Sequence, residues 1–188
     1  GALITVTASY LDGNNTNEAV TSAAVGPVAN INDLPTGGIT ISGTATEDQT
    51  LTAVSTLADD DGLGPLNYQW RRDGAPIVGA TSNTYTLGDA DVGAQMSVVV
   101  TYTDVRGTAE GPFTGGPTAP VANVNDPPTG SVTISGTATE DQTLTASNTL
   151  ADVEGLGPIS YQWNRGGVPI AGATGTSYLL GDADVGAL

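Results

Sequence analysis

Val121-Ala-Asn-Val-Asn-Asp-Pro-Pro-Thr-Gly130 is a short seam that the chain has already used once, as Val28-Ala-Asn-Ile-Asn-Asp-Leu-Pro-Thr-Gly37. The two copies stand 93 residues apart, Val28 against Val121. The same offset governs the residues after each seam. Ile41-Ser-Gly-Thr-Ala-Thr-Glu-Asp-Gln-Thr-Leu51 returns unchanged as Ile134 to Leu144, and Leu87-Gly-Asp-Ala-Asp-Val-Gly93 returns as Leu180 to Gly186. A fixed period decides the architecture before any local reading does. This one has the size of a single small domain, not of a solenoid turn.

The period divides the chain. Residues 34–126 form one full repeat. Gly1-Ala2 matches Gly93-Ala94, so residues 1–33 read as the C-terminal part of a repeat, and residues 127–188 as the N-terminal part of another. The expectation is a window on a longer array, without a leader, anchor or membrane-spanning run of its own.

Within the full repeat, strand signals come in close succession. Gly38–Ser42 alternates apolar and polar residues, Thr46-Glu-Asp-Gln49 turns, and Thr50–Val54 alternates again. The acidic loop Asp59–Gly64 precedes Leu66–Trp70, and Arg72-Asp-Gly-Ala75 turns that strand into Pro76–Val78. Thr84–Leu87 enters the Gly88–Gly93 turn, and Gln95–Tyr102 is the longest strand. After the turn at Asp104–Gly107, a final edge strand interrupted by proline is expected near Thr118–Val121. About seven short strands in about a hundred residues, with turn residues between them, predict an all-β antiparallel sandwich.

Composition narrows the chemistry. Twenty acids stand against four basic residues, all arginine (Arg71, Arg72, Arg106, Arg165), for a net charge of −16, with no histidine and no cysteine. These absences remove the usual zinc ligands, a thiol nucleophile and a Ser-His-Asp relay. Without lysine there is no Schiff base and no lysine–asparagine crosslink. So acidic a surface repels nucleic acid, which needs basic patches. Paired carboxylates of the glycosidase kind exist, but a period this short leaves no insertion to build a cleft. No enzyme is expected.

Tyr68-Gln-Trp70, the Asp73-Gly74 turn, and Leu87-x-x-x-Asp91-Val-Gly93 ahead of a long strand resemble the immunoglobulin-like fold. In that fold a strand-C tryptophan and a D-x-G turn before strand F are familiar marks. The disulfide cysteines are missing, and Leu51 and Val98 are expected to fill their place. Ala122-Asn-Val-Asn-Asp-Pro-Pro128, with Thr137-Ala-Thr-Glu-Asp141 after it, is similar to tandem Ig-like and cadherin-like repeats of giant secreted bacterial surface proteins, the RTX-type and biofilm adhesins. The resemblance covers the whole chain. It implies an extracellular, cell-surface setting, neighbouring repeats as the principal partners, and no membrane insertion.

On an Ig-type sandwich, the A–B turn, the E–F turn and the exit of strand G share one end, and the next repeat's B–C loop faces them. That topology gathers Glu47, Asp48, Asp89, Asp91, Asn123, Asn125, Asp126, Asp152 and Glu154 at the second seam. The first seam offers an incomplete set: Asn30, Asn32, Asp33, Asp59 and Asp61. These are hard oxygen donors, which suit calcium, a cation that accepts six to eight oxygens at flexible angles. The cadherin-like linker implies the same ion at the same place. Against this stands the plainer reading of acidic loops as solvated surface and of Asn-Asp and Asp-Gly as turn residues. The two B–C loops, Asp59-Asp-Asp61 and Asp152-Val-Glu154, differ in the middle yet keep acids two residues apart.

Trp70 and Trp163 are expected in the core, Tyr85, Tyr102 and Tyr178 mainly so, and Arg72 and Arg165 as strand-end ion-pair partners. The functional expectation is a stalk of tandem repeats made rigid by calcium at its linkers. The alternatives are a module that binds a polysaccharide or protein through a sheet face, and a spacer in a secreted multidomain enzyme. The two part-repeats at the ends are complementary halves, so head-to-tail self-association between chains is expected as well.

Overall fold

The chain is all β, built from antiparallel sheets, and the computed structural model describes residues 1–186. Ala187 and Leu188, which the period assigns to the third unit, lie outside the described residues.

The strands between Ile39 and Gly115 form an immunoglobulin-like sandwich. One sheet has the order β3-β4-β7, from Ile39–Ser42, Thr50–Ser55 and Thr84–Thr86. The other has the order β6-β5-β8-β9, from Ala75–Pro76, Asn67–Arg72, Met96–Thr103 and Ala109–Gly115. Period-2 alternation decides which face each residue takes. On β8 Met96, Val98, Val100 and Tyr102 are buried, while Thr101 and Thr103 are exposed. They meet Ile39, Leu51, Ala53, Leu57 and Leu87 in one core. Leu51 and Val98, expected where other Ig domains place a disulfide, are both fully buried. Trp70 pairs across the ladder with Val98, stacks on Tyr85 at 5.8 Å between ring centroids, and donates its indole N–H to the Ser82 carbonyl at 2.9 Å.

The last strand corrects the expectation from sequence. It runs over Ala109–Gly115, not Thr118–Val121, and pairs with β8 from Thr103↔Ala109 to Val98↔Gly115. The Asp104–Thr108 turn is tight enough to return the chain at once: the Asp104 N–H donates to the Thr108 carbonyl at 2.8 Å. Gly111 and Pro112 obscured the strand pattern, yet an edge strand tolerates proline because its outer face needs no donors. A register shift between the Val100 and Tyr102 pairs absorbs them.

Thr118–Val121 instead leads the chain out. Gln95 bridges Pro120, and Val92 and Thr46 form parallel bridges with Val121 and Ala122. The linker therefore leaves stitched to both the A–B turn and the E–F turn. That stitching positions the candidate site.

The third unit repeats the first sheet, with β10 (Val132–Ser135), β11 (Thr143–Asn148) and β14 (Ser177–Leu179) in the order β10-β11-β14. Its pairs Val132↔Asn148 and Thr143↔Leu179 reproduce Ile39↔Ser55 and Thr50↔Thr86 one period on. A short β12–β13 pair (Asn164–Arg165, Val168–Pro169) stands for the start of the second sheet. Trp163 stacks on Tyr178 at 5.7 Å and donates to the Gly175 carbonyl at 2.9 Å. At the N-terminus, β1 (Thr7–Leu11) and β2 (Asn17–Thr21) form a hairpin whose strand residues are all exposed.

Candidate metal centre

Glu47 sits in the A–B turn, with Asp48 in the left-handed region at φ 63° and the Gln49 N–H returning to the Thr46 carbonyl at 3.1 Å. The turn directs the Glu47 side chain inward, where the residue is only 2% exposed. Its backbone N–H donates to the Ala122 carbonyl at 2.9 Å, and its Oε2 accepts the Val124 N–H at 3.0 Å. Both partners belong to the linker. Its other oxygen, Oε1, is buried and has no hydrogen-bond partner among the described residues.

Asp89 opens the 3-10 turn Asp89–Asp91 and is exposed, and Asp126 comes from the linker itself. Glu47, Asp89 and Asp126 each bring one carboxylate oxygen to within 4.8 Å of the others. Like charges this close repel one another. A counterion would relieve that repulsion, and the described arginines are engaged elsewhere: Arg72 with Asp91, Arg106 with Asp61 and Arg165 with Asp184, while Arg71 donates to the Gly74 carbonyl.

The acids register this repulsion. Burial, and then the charges of Asp89, Glu154, Asp48 and Asp152, push the Asp126 carboxyl above its ordinary value. The Val124 amide is the strongest single influence on Glu47 and pulls it down, but burial, the close approach of the Asp89 carboxyl, which favours a shared proton, and the charges of Asp89 and Asp126 leave it raised. A central cation would reverse these penalties. Calcium–oxygen bonds of about 2.3–2.6 Å place opposed ligand oxygens about 5 Å apart, the span of this triad. An orphaned buried carboxylate oxygen, two further acids and no ammonium or guanidinium partner make a donor set that fits a hard divalent cation.

The other residues singled out in the sequence take different places. Asp91 is not free to bind a metal. It is 1% exposed, its Oδ1 accepts Arg72 Nε at 2.7 Å, and its Oδ2 accepts the Tyr85 hydroxyl at 3.1 Å and the Gly88 N–H at 3.0 Å. Arg165, Asp184 and Tyr178 repeat this arrangement, with the ion pair again at 2.7 Å. Asp48 is exposed and acts on the triad through its charge. Asn125 donates to the Asp126 carbonyl at 3.0 Å.

Asn123, Asp152 and Glu154 form a hinge clamp. Glu154 Oε1 accepts Asn123 Nδ2 at 3.2 Å and the Asp126 N–H at 3.0 Å, while Asp152 Oδ1 accepts the Glu154 N–H at 3.0 Å. The Asp126 amide is the first of several donors that hold the Glu154 carboxyl below its usual value. One period earlier the same clamp recurs. Asp61 Oδ2 accepts Asn30 Nδ2 at 3.2 Å and the Asp33 N–H at 2.9 Å, and Asp59 Oδ1 accepts the Asp61 N–H at 2.8 Å. Asn32 instead reaches Glu110 at 2.9 Å. The second acid of each B–C pair therefore works as a hydrogen-bond acceptor for the linker. At the first seam Arg106 also neutralises it, at 3.0 Å.

No family model, no curated protein and no solved structure matches the chain. Among the described residues, two acidic clusters could hold a metal ion.

Proposed function

We propose that the chain is an extender segment of a large cell-surface adhesin, a run of Ig-like repeats stiffened by calcium at each linker. One observation carries this reading. The Glu47–Asp89–Asp126 triad joins the body of one repeat to the linker leading to the next, and one buried oxygen of Glu47 lacks a hydrogen-bond partner among the described residues. An ion there ties the hinge to the sandwich. The stabilisation per seam need be only modest. Calcium about tenfold above a millimolar-class dissociation constant contributes about 1.4 kcal/mol, repeated at every junction. The sheet-face binder is less well supported, because Trp70 and Trp163 are buried and offer no stacking platform.

Thermal unfolding in calcium and in EDTA, on the chain and on Glu47→Gln, tests the reading. Calcium is expected to raise the melting temperature of the parent. Glu47→Gln is expected to lose the seam's share of that rise while melting no earlier than the parent in EDTA, because the neutral amide relieves the repulsion. An identical response of the two proteins to calcium would refute the assignment.

The chain also offers complementary apolar faces. Ile4, Val6, Ala8 and Tyr10 occupy the positions of Met96, Val98, Val100 and Tyr102, counted from the shared Gly-Ala start. The latter four are buried, whereas Ile4, Val6 and Tyr10 are 56%, 69% and 59% exposed. A lone hairpin is marginal in water. The third unit presents a groove lined by Ile134, Leu144, Trp163, Ile170, Tyr178 and Leu180, where the complete repeat packs β8 and β9. Between chains, the hairpin of one copy would complete the sheet of another. Size-exclusion chromatography with light scattering is expected to show concentration-dependent assembly, lost in Val6→Asp. A monomer at high concentration would contradict it.

A further inference from the structure

We propose that the complete repeat carries a second divalent-cation site, built from Asp59, Asp104 and Glu110 at the end of the sandwich that receives the preceding linker. It uses none of the Glu47–Asp89–Asp126 oxygens and does not depend on the stalk reading.

The three residues converge from separate elements: Asp59 from the B–C loop, Asp104 from the turn after β8, and Glu110 from β9. Each places one carboxylate oxygen within 4.8 Å of the other two. Asp104 is the buried member, at 5% exposure. Its Oδ1 is occupied, accepting the N–H groups of Arg106 at 2.9 Å and Thr108 at 2.7 Å. Its Oδ2 is buried and has no hydrogen-bond partner among the described residues. An ionised oxygen shut away from water without a donor is costly unless a positive charge faces it. The two neighbouring acids make the cost larger.

No described arginine relieves it. Arg106 lies close by in sequence, but its guanidinium is paired with Asp61 at 3.0 Å. The Tyr102 hydroxyl donates to Asp59 Oδ2, an oxygen distinct from the one that accepts the Asp61 N–H. Burial, then that bond and the charge of Asp59, hold the hydroxyl proton far more tightly than usual, with Glu110 and Asp104 adding to the effect. Tyr102 therefore orders Asp59 without neutralising the cluster. Glu110 Oε1 accepts Asn32 Nδ2 at 2.9 Å, which leaves Oε2 available and connects the cluster to the linker.

The first hairpin repeats the turn and the spacing of these residues. Tyr10, Asp12 and Glu18 in the first hairpin match Tyr102, Asp104 and Glu110 in spacing, although the residues between them differ. Asp12 Oδ1 accepts the N–H groups of Asn14 and Thr16, both at 2.8 Å, as Asp104 does with Arg106 and Thr108. The turn needs only the aspartate to form. The glutamate six residues on is not among the hydrogen-bond partners of that turn, and in the complete repeat it supplies the second carboxylate of the cluster. An irregular all-carboxylate set with side-chain amide neighbours suits calcium better than magnesium, which demands near-octahedral geometry.

The test is calcium binding by calorimetry, together with terbium luminescence excited through tyrosine, on the whole chain and three variants. Asp104→Asn keeps the Oδ1 acceptor that forms the turn and replaces the orphaned oxygen. Glu110→Gln is the second variant, should the first fail to fold. Glu47→Gln reports the seam triad separately. Expected is a calcium equivalent that survives Glu47→Gln and is weakened about tenfold or more by Asp104→Asn and Glu110→Gln. Terbium emission sensitised by Tyr102 should fall with it. Calcium stoichiometry and terbium emission unchanged in both Asp104→Asn and Glu110→Gln would overturn the proposal, whatever happens at the seam. So would a parent chain that binds no calcium once Glu47 is replaced.

Discussion

Trp70→Ala is expected to destabilise the central sandwich by about 3–5 kcal/mol, the cost of deleting a large buried aromatic side chain. Trp70 is fully buried between the two sheets, so the surroundings cannot collapse into the space without moving β5 away from β8. Three separate losses add up. The apolar contacts with the core disappear, the stacking on Tyr85 goes, and the Ser82 carbonyl loses its indole donor. Trp70→Phe should recover part of the packing but not the hydrogen bond. Urea unfolding is the measurement, and Trp163 remains as a fluorescent reporter of the third unit. A loss below about 1 kcal/mol would mean that Trp70 is not the centre of the core.

The second large effect is expected at Asp91. Asp91→Ala removes the carboxylate that holds Arg72 Nε, the Tyr85 hydroxyl and the Gly88 N–H together. Breaking a buried pair from one side costs about 3–5 kcal/mol, because the surviving charge stays uncompensated. The Arg72 side chain is a third exposed and can regain some water. The expected loss is therefore near the lower limit, about 3 kcal/mol. Asp91→Asn should cost less, since the amide oxygen can still accept one of the bonds. A double-mutant cycle with Arg72→Met separates the ion pair from the tyrosine and turn contacts. The same substitution at Asp184 should show a similar pattern in the third unit, where Arg165 and Tyr178 repeat the network.

Trp70 and Asp91 mark the limits of what is legible in the sequence. Tyr68-Gln-Trp70 and the alternation of Met96–Tyr102 follow directly from period-2 burial, so the sandwich and its core can be read from local pattern. Glu47, Asp89 and Asp126 are far apart in sequence, and only the Ig-type topology places them together. Asp91 escapes that logic. It lies two residues from Asp89, and a short 3-10 turn points it back toward Arg72, into the interior, and Asp89 out to the solvent. Charge and spacing alone do not distinguish the two.

Other features were hidden by the ambiguity of turn residues. An aspartate whose side chain accepts the amides two and four residues later forms a turn whether or not its second oxygen binds a metal. Asp104 therefore reads as a turn former until the burial of Oδ2 is seen. Glu110 lies on the strand that Gly111 and Pro112 disguised. Asp61 and Glu154 are acids at a seam, yet both accept hydrogen bonds from linker amides. Only coordinates show that use.

Calcium holding the linker to the sandwich is the central claim, and a distance distribution across the second seam tests it most directly. The chain has no cysteine, so Thr40→Cys and Thr133→Cys place two unique spin labels at equivalent exposed positions on either side of the seam. Pulsed electron paramagnetic resonance on dilute protein then reports the hinge in calcium and in excess EDTA. A calcium-clamped linker predicts a narrow distribution in calcium that broadens in EDTA, and a distribution in Glu47→Gln that is broad in both. A distribution of the same width in calcium and in EDTA would contradict it.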